Sequence, residues 1–116
     1  MMASLVEQLA ARGSDTEGAL ARFLGDEALY SDCFRMFLTD PCFAQLEHAL
    51  ARQDLSAAFT AAHTRKGVAG NLGLTALYTA LSALVEALRR EQAEGLAVLY
   101  RAAESERDAL LQLLEQ

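Results

Sequence analysis

The chain has 116 residues, enough for one domain with a buried core and too few for two. It is 53% apolar, with one proline and no tryptophan, and this Ala- and Leu-rich composition favours helix. Sixteen acidic residues against ten basic ones give a formal charge of −6, without the basic stripe that nucleic-acid binding requires.

Residues 1–13 form an Ala-rich arm, read as a short helix because Leu5, Val6 and Leu9 share a face. No secretory signal is expected, since the start carries no basic residue and Glu7 breaks the apolar run. Ser14 and Glu17 have the Ser-x-x-Glu spacing of a capping box, which predicts a helix from there to Gly25. Asp26 is placed to cap the next helix, reaching about Thr39 with Tyr30, Phe34 and Phe37 inward. Asp40-Pro41 reads as an N-cap followed by proline at the first helical position. The helix it opens carries Phe43, Leu46 and Leu50 inward and ends near Arg52. Asp54 then caps a helix that ends near Gly73.

Leu77, Leu81, Leu84 and Leu88 recur at helical spacing and mark the following helix. Leu96, Leu99, Ala103, Leu110 and Leu113 mark the last one, beginning at about Ala93. No segment alternates as a strand does. Residues 14–116 are therefore expected to form a single all-α domain, an antiparallel four-helix bundle with additional short N-terminal helices. Gly67 to Val85 carries no charge, but three glycines, Asn71, two threonines and Ser82 make it too polar and broken for a membrane span. It reads as a helix end, a turn and a helix start. Cys33 and Cys42 have no metal-ligand spacing and read as incidental thiols of a reducing, cytoplasmic compartment.

The informative segment is Ala62-His63-Thr64-Arg65-Lys66-Gly67, with the chain's only lysine one turn after one of its two histidines. At about 100° per residue, Phe59, His63, Lys66, Gly67, Gly70 and, less squarely, Thr60 fall on one side of this helix. Ala58, Ala61, Ala62, Val68, Ala69 and Leu72 form the opposite, core-facing side. His63 is thus expected to face outward. A lone histidine is usually a satisfied core group or an idle surface one, so the neighbourhood carries the argument. Gly67 and Gly70 each cost a helix interior about 1 kcal/mol relative to alanine. Close helix packing explains such glycines in general; beside His63, clearance for a docking partner is the preferred reading. Gly73 sits where a C-cap is wanted. A neutral imidazole is a nucleophile towards phosphorus, and the Lys66 ammonium is spaced to hydrogen-bond the oxygens of a phosphoryl group it carries.

The run Ala62-His63-Thr64-Arg65-Lys66-Gly67-Val68-Ala69-Gly70-Asn71-Leu72-Gly73 resembles the signature of histidine phosphotransfer (HPt) domains, approximately A-H-x-L-K-G-x-A-x-x-L-G. Gly25-Asp26-Glu27 resembles the family's usual opening, and the resemblance extends from about Thr16 to the C-terminus. It implies a phosphocarrier, not an enzyme with its own ATP-dependent kinase activity. The residue matching His63 accepts a phosphoryl group from a receiver aspartate, or from a kinase, and passes it to another receiver. The lysine matching Lys66 steadies that group, and the glycine matching Gly67 admits the receiver; Phe59, Thr60 and Gly70 complete the docking face. No metal, nucleotide or other cofactor belongs to the chain itself, and the Mg²⁺ resides in the partner receiver. The expected partners are receiver domains and a sensor or hybrid histidine kinase, with no nucleic acid and no membrane, and the family is mostly monomeric.

Two positions depart from the pattern. Arg65 replaces a core-facing aliphatic residue; either its stem packs while the guanidinium reaches a boundary, or it adjusts the local helix. Some members place a glutamine on the following helix to hold phosphoryl oxygens; Val85 stands there, with Glu86 next, and neither offers a donor. The alternative these departures leave open is a non-phosphorylated adaptor or inhibitor bundle that docks receivers or kinases. His48 lies on a different helix with no partner spacing and reads as a surface residue.

Overall fold

The computed structural model describes residues 3–115, which form seven helices, four of them opened by a polar cap residue. Ser4 caps α1 (Leu5–Ala11), accepting the Glu7 N–H at 3.1 Å. Asp15 caps α2 (Thr16–Arg22), Asp26 caps α3 (Glu27–Thr39) and Asp54 caps α5 (Leu55–Asn71), each accepting an N–H three residues on. Before α4 (Cys42–Ala51), Pro41 occupies the cap position and the Asp40 carboxylate accepts the Cys42 N–H at 2.8 Å. α6 (Thr75–Arg89) and α7 (Leu96–Leu114) start without a side-chain cap; Gly95, with φ of 80°, turns the chain into α7.

Four of these boundaries differ from expectation by a residue or more: Pro41 rather than Asp40 takes the cap position of α4, α7 begins at Leu96 rather than about Ala93, and both ends of α2 shift. The expected capping box at Ser14 gives way to Asp15, because the Asp15 N–H is held by the Gly73 carbonyl at 2.8 Å. That contact with the end of α5 fixes the register locally. α2 also stops at Arg22 rather than Gly25, since Leu24 and Gly25 both adopt positive φ. No strand occurs among the described residues.

Helices α4 to α7 form the antiparallel four-helix bundle, with α5 and α6 packed most closely, and α3, which leads into α4, touches α7. The molecule is elongated, 46 × 25 × 21 Å, and its core has two centres. One gathers Tyr30, Phe34, Phe37, Phe43, Ala69, Leu72, Leu77 and Leu110. The other gathers Leu46, Ala58, Ala62, Leu84, Val85, Leu88 and Tyr100. The expected inward stripe Leu77, Leu81, Leu84, Leu88 is fully used; Leu50 is only half-buried. Residues 1 and 2 lie outside the described residues; within the described part of the N-terminal arm, Leu9 is completely buried in the first centre, with Leu5 and Val6 packed against it. Its apolar face is occupied within its own chain.

The C-terminal end of α5 is tied down by the helices before it. Arg22 donates to the Asn71 and Gly70 carbonyls at 3.1 and 3.0 Å, and the Tyr30 hydroxyl donates to the Leu72 carbonyl at 2.6 Å. These donors satisfy carbonyls that a helix end otherwise leaves without partners, and the Arg22 cation suits the negative end of the helix dipole. Gly73, at φ +69°, continues the turn, and a Cβ there would collide with the Asp15 carbonyl.

The rear of α5 carries Arg65, only 7% exposed. Its guanidinium lies 5.2 Å from the Phe37 ring centre and 5.9 Å from that of Phe43, with the Asp40 carboxylate 4.0 Å away. The stem packs as expected, and the head group comes to the edge of the bundle beside Asp40, whose side chain is 38% exposed. Two aromatic faces offer it an electrostatic seat there, while its buried Nε has no hydrogen-bond partner. Arg107 approaches the same Phe43 ring at 5.0 Å from α7.

Two outcomes are expected. Burial pushes the Tyr30 phenol up to about 12, the Arg22 cation opposing it, and burial, then Glu47 and Glu104, push Tyr100 up to about 12 as well. A raised value favours the protonated phenol on folding, so this contribution is intact below the ordinary value of 10.0 and is lost as pH climbs towards about 12. Tyr30→Phe should cost about 1–2 kcal/mol near neutrality and flatten the fall in stability above pH 10.0, measured by urea unfolding across pH. Arg65→Met should leave thermal stability unchanged or higher, because it removes a buried charge while filling the space, whereas Arg65→Ala should cost about 2–4 kcal/mol. Equal losses in both variants would show that the guanidinium itself is required.

Candidate functional site

α5 displays a different face to solvent from the one it buries. Ala58, Ala62, Arg65 and Ala69 go inward, and His63 stands exposed at mid-helix. Its imidazole stacks on the ring of Phe59, one turn earlier, with centroids 5.7 Å apart and planes inclined by 28°. Phe59 is half-buried, because its other contacts belong to the second core centre. It anchors the imidazole as much as it presents a surface. Thr60 is exposed on the flank, its hydroxyl donating to the Ser56 carbonyl at 3.2 Å.

Lys66 lies one turn beyond His63, half-buried, with its ammonium 5.7 Å from the centre of the Tyr78 ring on α6. The ion pairs among the described residues are Arg65–Asp40, Arg89–Glu86 and Arg107–Asp108, so no carboxylate neutralises Lys66. Gly67 faces open space: a Cβ built there meets nothing within 4 Å. Gly70 differs. A Cβ there would lie 3.2 Å from two atoms of the Tyr78 ring, tighter than ordinary contact. Its missing side chain makes room for an aromatic residue of the same molecule, a second use of this glycine beside the partner clearance expected of it.

α6 supplies the other wall. Val85, at the position where a donor was sought, is fully buried in the second core centre. Glu86 accepts from Arg89 at 2.8 Å, and the Arg89 guanidinium lies 5.7 Å from the Phe59 ring centre. The exposed row along His63 is therefore bordered by Lys66 and Tyr78 at one end and by Phe59 and Arg89 at the other. Sequence reasoning passed over Tyr78 and Arg89. The signal for Tyr78 was an aromatic residue one turn into an otherwise Leu- and Ala-rich helix, just across the turn from Gly70.

The remaining candidates are quickly placed. His48 is exposed on α4, and both cysteines are free and half-buried. The Asp40 carboxylate raises the Cys42 thiol above its usual range and is itself held below the ordinary carboxylate value by hydrogen bonding to Cys42. Among the described residues no three His, Cys, Asp or Glu side chains converge on a metal-sized site. No helix there is long and apolar enough to cross a membrane. A hollow of about 640 Å³ lies between α4 and the start of α7 and includes none of the candidate site residues.

Residues 32–116 match the model of the family described as Hpt domain. The chain belongs to the Hpt domain family. Hpt domains are helical bundles that act in phosphotransfer within two-component signalling, where they interact with receiver domains and kinases. The matched region begins within α3, later than the Thr16 suggested by the sequence resemblance, so α1, α2 and the first turn of α3 lie outside it. Comparison with curated proteins and with solved structures gave no match.

The two glycines of the Hpt face should respond oppositely to the same change. Gly67→Ala adds a methyl group in open space within a helix and should raise the unfolding free energy by up to about 1 kcal/mol. Gly70→Ala must displace the Tyr78 ring, so the same helical gain should be cancelled or reversed. Chemical denaturation of the pair decides it.

Proposed function

We propose that this Hpt protein is a phosphocarrier in which His63 accepts a phosphoryl group from the aspartyl phosphate of a receiver domain, or from a kinase, and delivers it to another receiver. The observation that carries the reading is an exposed imidazole with an unneutralised ammonium one turn away and bare backbone at Gly67 beside it. An unprotonated ring nitrogen of His63 attacks phosphorus as the bond from phosphorus to the aspartate oxygen breaks. The aspartate leaves as a carboxylate, and an N–P bond has replaced an O–P bond. Running the step backwards onto a second receiver returns the imidazole.

Each neighbour has a part in this chemistry. Charge spread over the three peripheral phosphoryl oxygens is met by the Lys66 ammonium. Phe59 stacking limits the imidazole to fewer orientations, which lowers the cost of reaching an attacking geometry. Gly67 leaves space for the receiver's approach, with Thr60 on the flank of the same face. Any Mg²⁺ taking part belongs to the receiver. No step requires a nucleotide on this chain, so we assign it no kinase activity of its own.

The adaptor alternative drew on Arg65 and Val85. Arg65 packs on the rear of α5, against Phe37 and Phe43, so it leaves the front face unaltered. Val85 still supplies no donor, and Lys66 is then the principal contact for the phosphoryl oxygens.

Incubation with a phosphorylated receiver and Mg²⁺ should transfer acid-labile, alkali-stable phosphate to the wild type and none to His63→Gln. Lys66→Ala should still be labelled, more slowly and with a shorter-lived product. Equal labelling of His63→Gln would remove His63 from the mechanism, and stable receiver binding without any labelling of the wild type would establish the adaptor instead.

A further inference from the structure

The phosphoryl-steadying role given to Lys66 raises the question of what holds its side chain when no phosphoryl group is present. Lysine has a flexible four-carbon stem and loses much rotamer freedom on being fixed. A carboxylate partner would fix it but would also compete with the phosphoryl oxygens for the same cation. Neither an ion pair nor a side-chain hydrogen bond is made by Lys66 among the described residues; the group its ammonium faces is the Tyr78 ring, 5.7 Å from Nζ to the ring centre. An aromatic face attracts a cation without neutralising it.

Tyr78 owes its position to Gly70. The ring edge lies where a Cβ at residue 70 would come within 3.2 Å of Cδ2 and Cε2, so glycine there lets the aromatic residue settle against α5. Tyr78 nonetheless remains 40% exposed, with its ring at the border of the His63 face rather than in the core. Gly70, Tyr78 and Lys66 therefore form one device spanning α5 and α6.

We propose that Tyr78 is a positioning residue for phosphotransfer: its ring seats the Lys66 ammonium one turn from His63, ready to meet the incoming phosphoryl oxygens. The inference rests on the phosphocarrier reading above and adds a residue to it. The ring rather than the hydroxyl does the seating, so Tyr78→Phe should behave as the wild type. Tyr78→Leu keeps bulk but removes the π face, and should slow transfer to and from a receiver about two- to fivefold, the range of an exposed cation–π contact. In a Lys66→Ala background the same substitution should change nothing further.

A second readout does not depend on phosphate. Lys66 is the chain's only lysine, so its ε-methylene signal is assignable without ambiguity by NMR. It should show an aromatic ring-current shift in the wild type and in Tyr78→Phe that disappears in Tyr78→Leu. An unshifted Lys66 signal in the wild type overturns the proposal, as does wild-type transfer by Tyr78→Leu or an undiminished Tyr78→Leu defect in the Lys66→Ala background. Failure of the wild type to label at all would instead strike the phosphocarrier reading itself.

Discussion

The burial of α5 along one narrow side is the constraint on which the molecule depends. Ala58, Ala62 and Ala69 are completely buried, and their small side chains let α5 sit deep between α4 and α6. Leu55, Phe59 and Val68 add partly buried packing along its flanks. Its opposite side is then free to carry an imidazole, an ammonium and an uncovered glycine without weakening the core. Arg65 is the one large residue on the buried side, and the rings of Phe37 and Phe43 accommodate its charge. The polar face of α5 and the interior of the bundle are thus consequences of a single packing choice.

Much of the framework was legible because several helices announce their beginning in local chemistry. Asp26 and Asp54 cap where their spacing indicates, and the leucines of α6 bury as their period requires. Tertiary contact decides what local chemistry leaves open. Ser14 and Asp15 are both competent caps, and a backbone bond to Gly73, far away in sequence, chooses between them. Likewise, nothing within α5 distinguishes Gly67 from Gly70. The difference lies on α6, where Tyr78 stands over one glycine and leaves the other bare. The outward direction of His63 follows from helical geometry alone, whereas its stacking on Phe59 and the seat of Lys66 need knowledge of how helices pair.

The helices outside the matched family region are not ornaments to the bundle. Arg22 and Tyr30 supply hydrogen bonds to three successive carbonyls at the end of α5, and Leu9 enters the shared core. Helix ends fray first, and α5 carries every candidate group except those lent by α6. Closing its C-terminus from α2 and α3 keeps its last turns, Lys66, Gly67 and Gly70 included, within the cooperative unit. The N-terminal segment thus supports the face without contributing a side chain to it.

A mid-helix imidazole on a rigid rod cannot swing between visitors. His63 is offered on one side of a molecule only 21–25 Å across its short axes, a width comparable to the footprint of a single globular partner. On the proposed phosphocarrier reading, donor and recipient take turns at the same berth, and whichever lingers there blocks the other. Under such exclusion, throughput is governed by how readily each departs, so an abundant bystander that merely lodges on this side throttles the traffic without any chemistry of its own.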